Sequence, residues 1–82
     1  GYKLDLEIDL VLEKPGQPPI LIEIKSADTL IDIHYKNLNI VGKDFKNSRK
    51  IILYRGSQRY LTDDKIEVLP WLAGIHEIID GF

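Results

Sequence analysis

From Leu4 to Glu13 the chain alternates without a break. Leu4, Leu6, Ile8, Leu10 and Leu12 fall on one face of an extended segment, and Asp5, Glu7, Asp9, Val11 and Glu13 fall on the other. Successive side chains of a strand point to opposite faces, so this run specifies a half-buried strand; apolar positions of a helix recur every three or four residues instead. A second run repeats the arrangement, with Ile20, Ile22 and Ile24 set against Leu21, Glu23 and Lys25. Lys14-Pro15-Gly16-Gln17-Pro18-Pro19 separates them, a stretch rich in breakers that closes an antiparallel hairpin.

The two polar sets share a face only in certain registers. A turn centred on Gly16 pairs Val11 with Leu21, Asp9 with Glu23 and Glu7 with Lys25, whereas the neighbouring allowed register places Asp9 opposite Lys25. In both, Asp9, Glu23 and Lys25 meet in one patch. Like charges directly across a ladder destabilise it, so Asp9 facing Glu23 calls for a cation between them, either Lys25 or a metal. Carboxylates from adjacent strands, with no cysteine and no paired histidine, select a hard oxygen-liganded ion such as Mg²⁺ or Mn²⁺. An ammonium two residues from one ligand suits metal-assisted phosphodiester hydrolysis, where it orients water or offsets charge developing on phosphate. An exposed ladder of charge pairs on an amphipathic hairpin accounts for the same spacing.

Eighty-two residues suffice for one small domain spanning residues 1–82, and 44% apolar with 29% charged residues is an ordinary globular balance. The chain has no cysteine, which fits a reducing compartment, and no signal peptide or apolar run near the ~20 residues of a membrane span. The expectation is a cytoplasmic protein without a membrane partner. It begins at Gly1 and contains no methionine, as a piece of a longer polypeptide would. The net charge of −2 conceals a segregation: residues 36–60 carry seven basic residues against Asp44 alone, between two acidic flanks. Such a basic middle forms either a phosphate-binding rim or a solvated helix face.

After the hairpin, Ser26-Ala27-Asp28-Thr29 offers N-cap candidates for a helix from Leu30 to about Phe45, with Ile31, Tyr35, Leu38 and Phe45 on its stripe and Leu30 and Val41 flanking. Lys50–Tyr54 is a continuous apolar run, a strand covered on both faces. Short strands at Arg59–Leu61 and Ile66–Leu69 surround Asp63-Asp64-Lys65, and Trp71 to Ile79 forms a terminal helix with Leu72, Ile75 and Ile79 on one face. The order predicts an α/β (α+β) fold in which the helix crosses over between Ile20–Lys25 and a parallel neighbour, Lys50–Tyr54.

Asp9, thirteen intervening residues, and then Glu23-Ile24-Lys25 before a helix resemble the Asp…(Asp/Glu)-x-Lys signature of the PD-(D/E)XK, restriction-endonuclease-like superfamily. More narrowly, Glu7–Glu13, Pro19–Ser26, Leu53–Gly56 and Ile66–Trp71, taken in order, resemble the C-terminal domain of unknown function that follows the P-loop module in prokaryotic AAA-type ATPases. The resemblance implies a restriction-endonuclease-like core with a short C-terminal β-α tail. It also implies Asp9 and Glu23 as ligands of Mg²⁺ or Mn²⁺, Lys25 as the catalytic lysine, nucleic acid as partner and an upstream ATPase module in the same polypeptide. The superfamily's further acidic ligand, usually on a helix before the first strand, has no counterpart here unless Glu7 takes its place. No G-x-x-x-x-G-K-[ST] motif occurs, so these residues alone are not the ATPase. Three functions remain: a metal-dependent nuclease-like domain, a catalytically inactive regulatory or interaction module, and a non-cleaving nucleic-acid-binding module.

The remaining chemistry-bearing residues read as structural. His34 and His76 lack a partner at metal spacing, and His34 falls beside the helix stripe as a packing residue. Trp71, Tyr54 and Tyr60 are core or edge packing, Ser26 is a helix cap, and Arg55 and Arg59 either meet phosphate or pair with Asp63, Asp64 or Glu67.

Overall fold

The computed structural model describes residues 8–81. Among them are β1 (Leu10–Leu12), β2 (Ile20–Ile24), α1 (Asp32–Gly42), β3 (Arg49–Tyr54), β4 (Tyr60–Leu61), β5 (Ile66–Pro70) and α2 (Trp71–Gly81). The strands form one mixed sheet in the order β1-β2-β3-β5-β4, giving an α+β fold.

The hairpin takes the register centred on Gly16: Leu10 pairs with Ile22, Val11 with Leu21 and Leu12 with Ile20. Its loop begins with a tight turn in which the Gln17 N–H donates to the Lys14 carbonyl at 3.0 Å. Proline pre-sets the second position of that turn, and Gly16 supplies the φ of 80° at the third that an L side chain resists. Among the described residues the first strand is shorter than the alternation predicts. Residues 4–7 lie outside the described residues, and β1 begins only at Leu10, after a bend at Asp9. The bend carries Ile8 across the sheet. Ile8 packs with Leu21 on one face, whereas Leu12 packs with Ile22 on the other.

From β2 the chain crosses over through α1 to β3, which lies parallel to β2 with Ile22 beside Ile51 and Ile24 beside Leu53. β5 is parallel to β3 on its far side, and β4 closes that edge antiparallel to β5. β3 is the central strand. Ile51, Ile52, Leu53 and Tyr54 are all buried, as a continuous apolar run between two covered faces requires.

Two cores result. Under α1, Leu21, Ile52, Tyr54, Ile66 and Val68 pack against Leu38, with Leu30, Tyr35, Val41 and Phe45 around them. On the opposite face Ile22, Ile51, Leu53 and Leu69 pack against Ile78 of α2, with Ile75 beside it. Each fully buried Leu or Ile contributes about 1.5–3 kcal/mol of transfer free energy, so these clusters dominate the stability of the fold.

Both helices differ in detail from their sequence patterns. α1 starts at Asp32 with Ile31 as N-cap, not within Ser26–Thr29, and ends at Gly42 rather than near Phe45. The signal that starts it is His34, whose Nδ1 accepts the Ile31 N–H at 3.2 Å. Ile31 itself is exposed and does not join the stripe. Past Gly42 the chain turns through Phe45, whose carbonyl accepts the Ser48 N–H, and a left-handed Asn47. In α2 the sheet-facing positions are Gly74, Ile75 and Ile78, whereas Leu72 and Ile79 face solvent. Gly74 decides that rotation, because a Cβ there would lie 2.3 Å from Leu53 Cδ2 and 3.1 Å from Leu69 Cβ. No helix among the described residues is long and apolar enough to cross a membrane.

The arginine pairings also differ from expectation. Arg59 reaches across to Glu77 of α2 at 2.6 and 3.1 Å, and Arg55 lies 4.0 Å from Asp28. Glu67 is taken by both ends of the Arg49 guanidinium at 2.6 and 2.8 Å. Arg49 and Glu67 share the α2 face, on neighbouring odd positions of β3 and β5, which explains their choice of each other.

Candidate active site

The bend before β1 sets Asp9 beside the end of β2. Its Oδ2 accepts the Ile24 N–H at 2.7 Å, extending the hairpin's bonding one step past the last ladder pair, Leu10 with Ile22. Glu23 lies on the same sheet face as Leu21, beneath α1, and is 3% exposed, the one charged residue buried among the described residues. The Asp9 and Glu23 carboxyl groups lie close enough to interact as a hydrogen-bonded pair when one of them carries a proton.

That proximity divides their acidities. Burial, followed by the hydrogen bond and charge of Asp9, pushes the Glu23 carboxyl up to about 7, against the opposing pull of Lys25. Asp9 moves the other way. The hydrogen bond from Glu23 lowers its pKa most, opposed by desolvation and aided by the Ile24 N–H and the Lys25 charge. Below about pH 7 the pair is an ionised Asp9 beside a protonated Glu23, because two neighbouring carboxylates resist ionising together.

Lys25 follows directly after β2, and its N–H donates to the Leu53 carbonyl at 2.9 Å, which anchors its backbone to the central strand. Its charge acts on Asp9, Glu23 and His34. The structure thus gathers Asp9, Glu23 and Lys25 at one end of the hairpin, while Glu7 lies outside the described residues. His34 joins them as a neighbour that sequence reasoning set aside. Its pKa is lowered by burial first and by Lys25 second, which keeps the ring neutral. Its position three residues after Ile31 is a capping-box spacing, but histidine is not the residue type that pattern looks for.

Among the described residues no group of three or more His, Cys, Asp or Glu side chains is arranged to hold a metal ion. The donor set at the patch is two carboxyl groups. Two carboxylates in contact suit an ion that keeps most of its own water and completes its shell from substrate phosphate, which is the habit of Mg²⁺.

Three of the seven basic residues in the middle of the chain are engaged within the fold. Arg49 and Arg59 are held by glutamates, and the Lys50 ammonium donates to Asn39 Oδ1 at 3.1 Å and to the Asp64 carbonyl at 2.9 Å. A free phosphate-binding rim built from these three does not form.

Comparison with the curated proteins and with the solved structures gave no match. The PD-(D/E)XK likeness therefore rests on the residues described above and on no relative. A family model described as a domain of unknown function, DUF4143, matches residues 2–73, which is most of the chain. This chain belongs to the DUF4143 family, a domain found in AAA-type ATPases.

Proposed function

We propose that this domain is a PD-(D/E)XK nuclease-like module of an AAA-type ATPase, acting on the phosphodiester of a nucleic acid. The observation that carries the reading is the contact between the Asp9 and Glu23 carboxyl groups with the Lys25 charge beside them. Asp9 and Glu23 would hold Mg²⁺ or Mn²⁺, with Glu7 as a further candidate ligand. The ion supplies Lewis-acid polarisation of a phosphoryl oxygen and a more acidic coordinated water.

The chain's own residues supply the rest. The Ile24 N–H fixes one oxygen of Asp9, and the same carboxyl group interacts with Glu23. To serve as a ligand Glu23 would have to give up its proton, so affinity for the ion would fall as pH is lowered. Lys25, anchored by its backbone to Leu53, offsets negative charge that develops on the phosphate.

A second reading is favoured by the burial of Glu23. A carboxyl group 3% exposed and already hydrogen-bonded is satisfied without any ion, as in a catalytically inactive module that docks a partner for the ATPase. Titration with Mg²⁺ and Mn²⁺ under thermal denaturation, alongside cleavage of labelled DNA and RNA, separates the two. The nuclease reading requires a metal-dependent rise in stability, lost in Asp9→Ala, and cleavage lost in Lys25→Ala. A folded chain that gains no stability from millimolar ion and cuts neither nucleic acid is the inactive module.

A further inference from the structure

The three parallel strands β2, β3 and β5 end side by side at Ile24, Tyr54 and Pro70. Their carboxyl edge opens a groove of about 370 Å³. Open parallel α/β sheets bind ligands outside the carboxyl ends of their strands; here three parallel strands of a mixed sheet form such an edge, and the volume falls within the ~300–1,000 Å³ of small-molecule sites. Leu53 and Ile75 give the groove apolar walls, and Ser26, Lys25 and Arg55 are the polar and cationic residues of its lining. Trp71, the first residue of α2 and the chain's single tryptophan, lines the same groove and is 49% exposed.

A lone exposed apolar side chain is ordinary on a protein surface. An indole beside two cations is a more particular arrangement. Both cations stand on fixed backbone: the Lys25 N–H donates to the Leu53 carbonyl at 2.9 Å and the Arg55 N–H to the Ala27 carbonyl at 3.0 Å. Among the described residues Arg55 pairs with Asp28, 4.0 Å away and largely exposed, too loose to occupy the guanidinium. An apolar peptide would have no use for the two charges. A planar ring carrying a phosphate uses both the π-face and the cations.

We propose that this groove receives an unstacked nucleobase with its phosphate, the base lying against Trp71 and the phosphate between Arg55 and Lys25. The substrate class of the candidate active site is then single-stranded nucleic acid, an inference that rests on the proposed function because Lys25 borders both places.

The single tryptophan reports on its own occupancy. Titrating the metal-free chain with a short oligothymidylate produces saturable quenching of Trp71 fluorescence. The same sequence in duplex form, its bases already stacked, produces little. By anisotropy of a labelled oligothymidylate, Trp71→Ala weakens binding by about tenfold while Trp71→Phe retains most of it. Arg55→Ala lowers the slope of log affinity against log salt by about 0.7, one phosphate contact. Circular dichroism on each variant verifies folding, which is expected to persist because Trp71 is 49% exposed and the Arg55 side chain 66%. Quenching that dextran sulfate reproduces, or that anionic vesicles produce and the oligonucleotide does not, overturns the proposal in favour of a bare cationic patch or a lipid surface. Failure here is distinct from failure of the catalytic reading. Cleavage without quenching removes the groove and leaves the active site, while quenching without cleavage does the reverse.

Discussion

Asp9 Oδ2 and the Ile24 N–H meet at 2.7 Å across the open end of the hairpin, one step beyond the last backbone pair. The bond does two things. It caps a strand edge whose next backbone acceptor has been turned away by the bend at Asp9, and it holds a carboxylate against Glu23, which is buried beneath α1.

Asp9→Asn keeps an acceptor for that N–H, whereas Asp9→Ala removes it. Asp9→Ala should therefore cost ~1 kcal/mol in urea denaturation, the usual net worth of one hydrogen bond, and Asp9→Asn clearly less. For a domain of this size ~1 kcal/mol corresponds to roughly 4–8 °C in Tm. Equal losses in the two variants would mean that the Asp9–Ile24 bond carries no stability.

Without metal, the Glu23 carboxyl makes stability fall as pH rises. Its pKa is about 7 in the folded chain against an ordinary 4.5, so the folded state holds the proton more tightly. That contribution is complete below pH 4.5 and is lost as pH climbs through 7. Asp9 has the opposite sign, contributing above its ordinary 3.8 and fading as acid reaches its lowered value. His34, also lowered, contributes above 6.5 and is lost as pH falls. Comparing wild type with Glu23→Gln in EDTA isolates the first effect. The wild type should lose stability relative to the variant between pH 5 and 8, and a difference that stays constant across that range would contradict the raised Glu23 pKa.

Most of the sheet was legible because period-two alternation and uninterrupted apolar runs are direct consequences of which strand faces are covered. Ile51 through Tyr54 announced the central strand, and the parity of Val11 and Leu21 contained the true register. The helices were less legible because their limits depend on contacts between elements. Ser26–Thr29 has good capping chemistry, but the Lys25 N–H and the Ala27 carbonyl tie the chain there to Leu53 and Arg55, so the helix waits until His34 can cap it. The face of α2 was misread because periodicity ranks Leu72 and Ile79 as apolar, while close approach to Leu53 and Leu69 ranks Gly74 first. At the site, spacing brought Asp9, Glu23 and Lys25 together, but nothing local marked Glu23 as buried. That follows from α1 lying over the same face, a tertiary fact.

Gly74→Ala sets two effects against each other. Alanine is better in a helix by ~1 kcal/mol, but its Cβ would stand 2.3 Å from Leu53 Cδ2 and 3.1 Å from Leu69 Cβ in a packed core. Overpacking of that kind costs about 1–3 kcal/mol. The expected result is net destabilisation in urea, with partial recovery in Gly74→Ala plus Leu53→Val, because shortening Leu53 frees the nearer contact. A more stable single variant would show that α2 does not sit this close to the sheet.

Lys50 joins three elements through one ammonium. From β3 it donates to Asn39 Oδ1 on α1 at 3.1 Å and to the Asp64 carbonyl before β5 at 2.9 Å, and Asn39 Nδ2 completes the ring by donating to Asp64 Oδ2 at 3.0 Å. Lys50→Met keeps the aliphatic stem and deletes only the donor, so it leaves the Asn39 oxygen unpaired in a half-buried place. The expected cost is ~1 kcal/mol. Its distribution is the sharper test: hydrogen exchange should quicken at the C-terminal turn of α1 and at residues 62–66 together, while β2 and β3 keep their protection. Faster exchange at only one of the two places would mean that the ammonium belongs to that element alone and does not couple the helix to the β4–β5 connection.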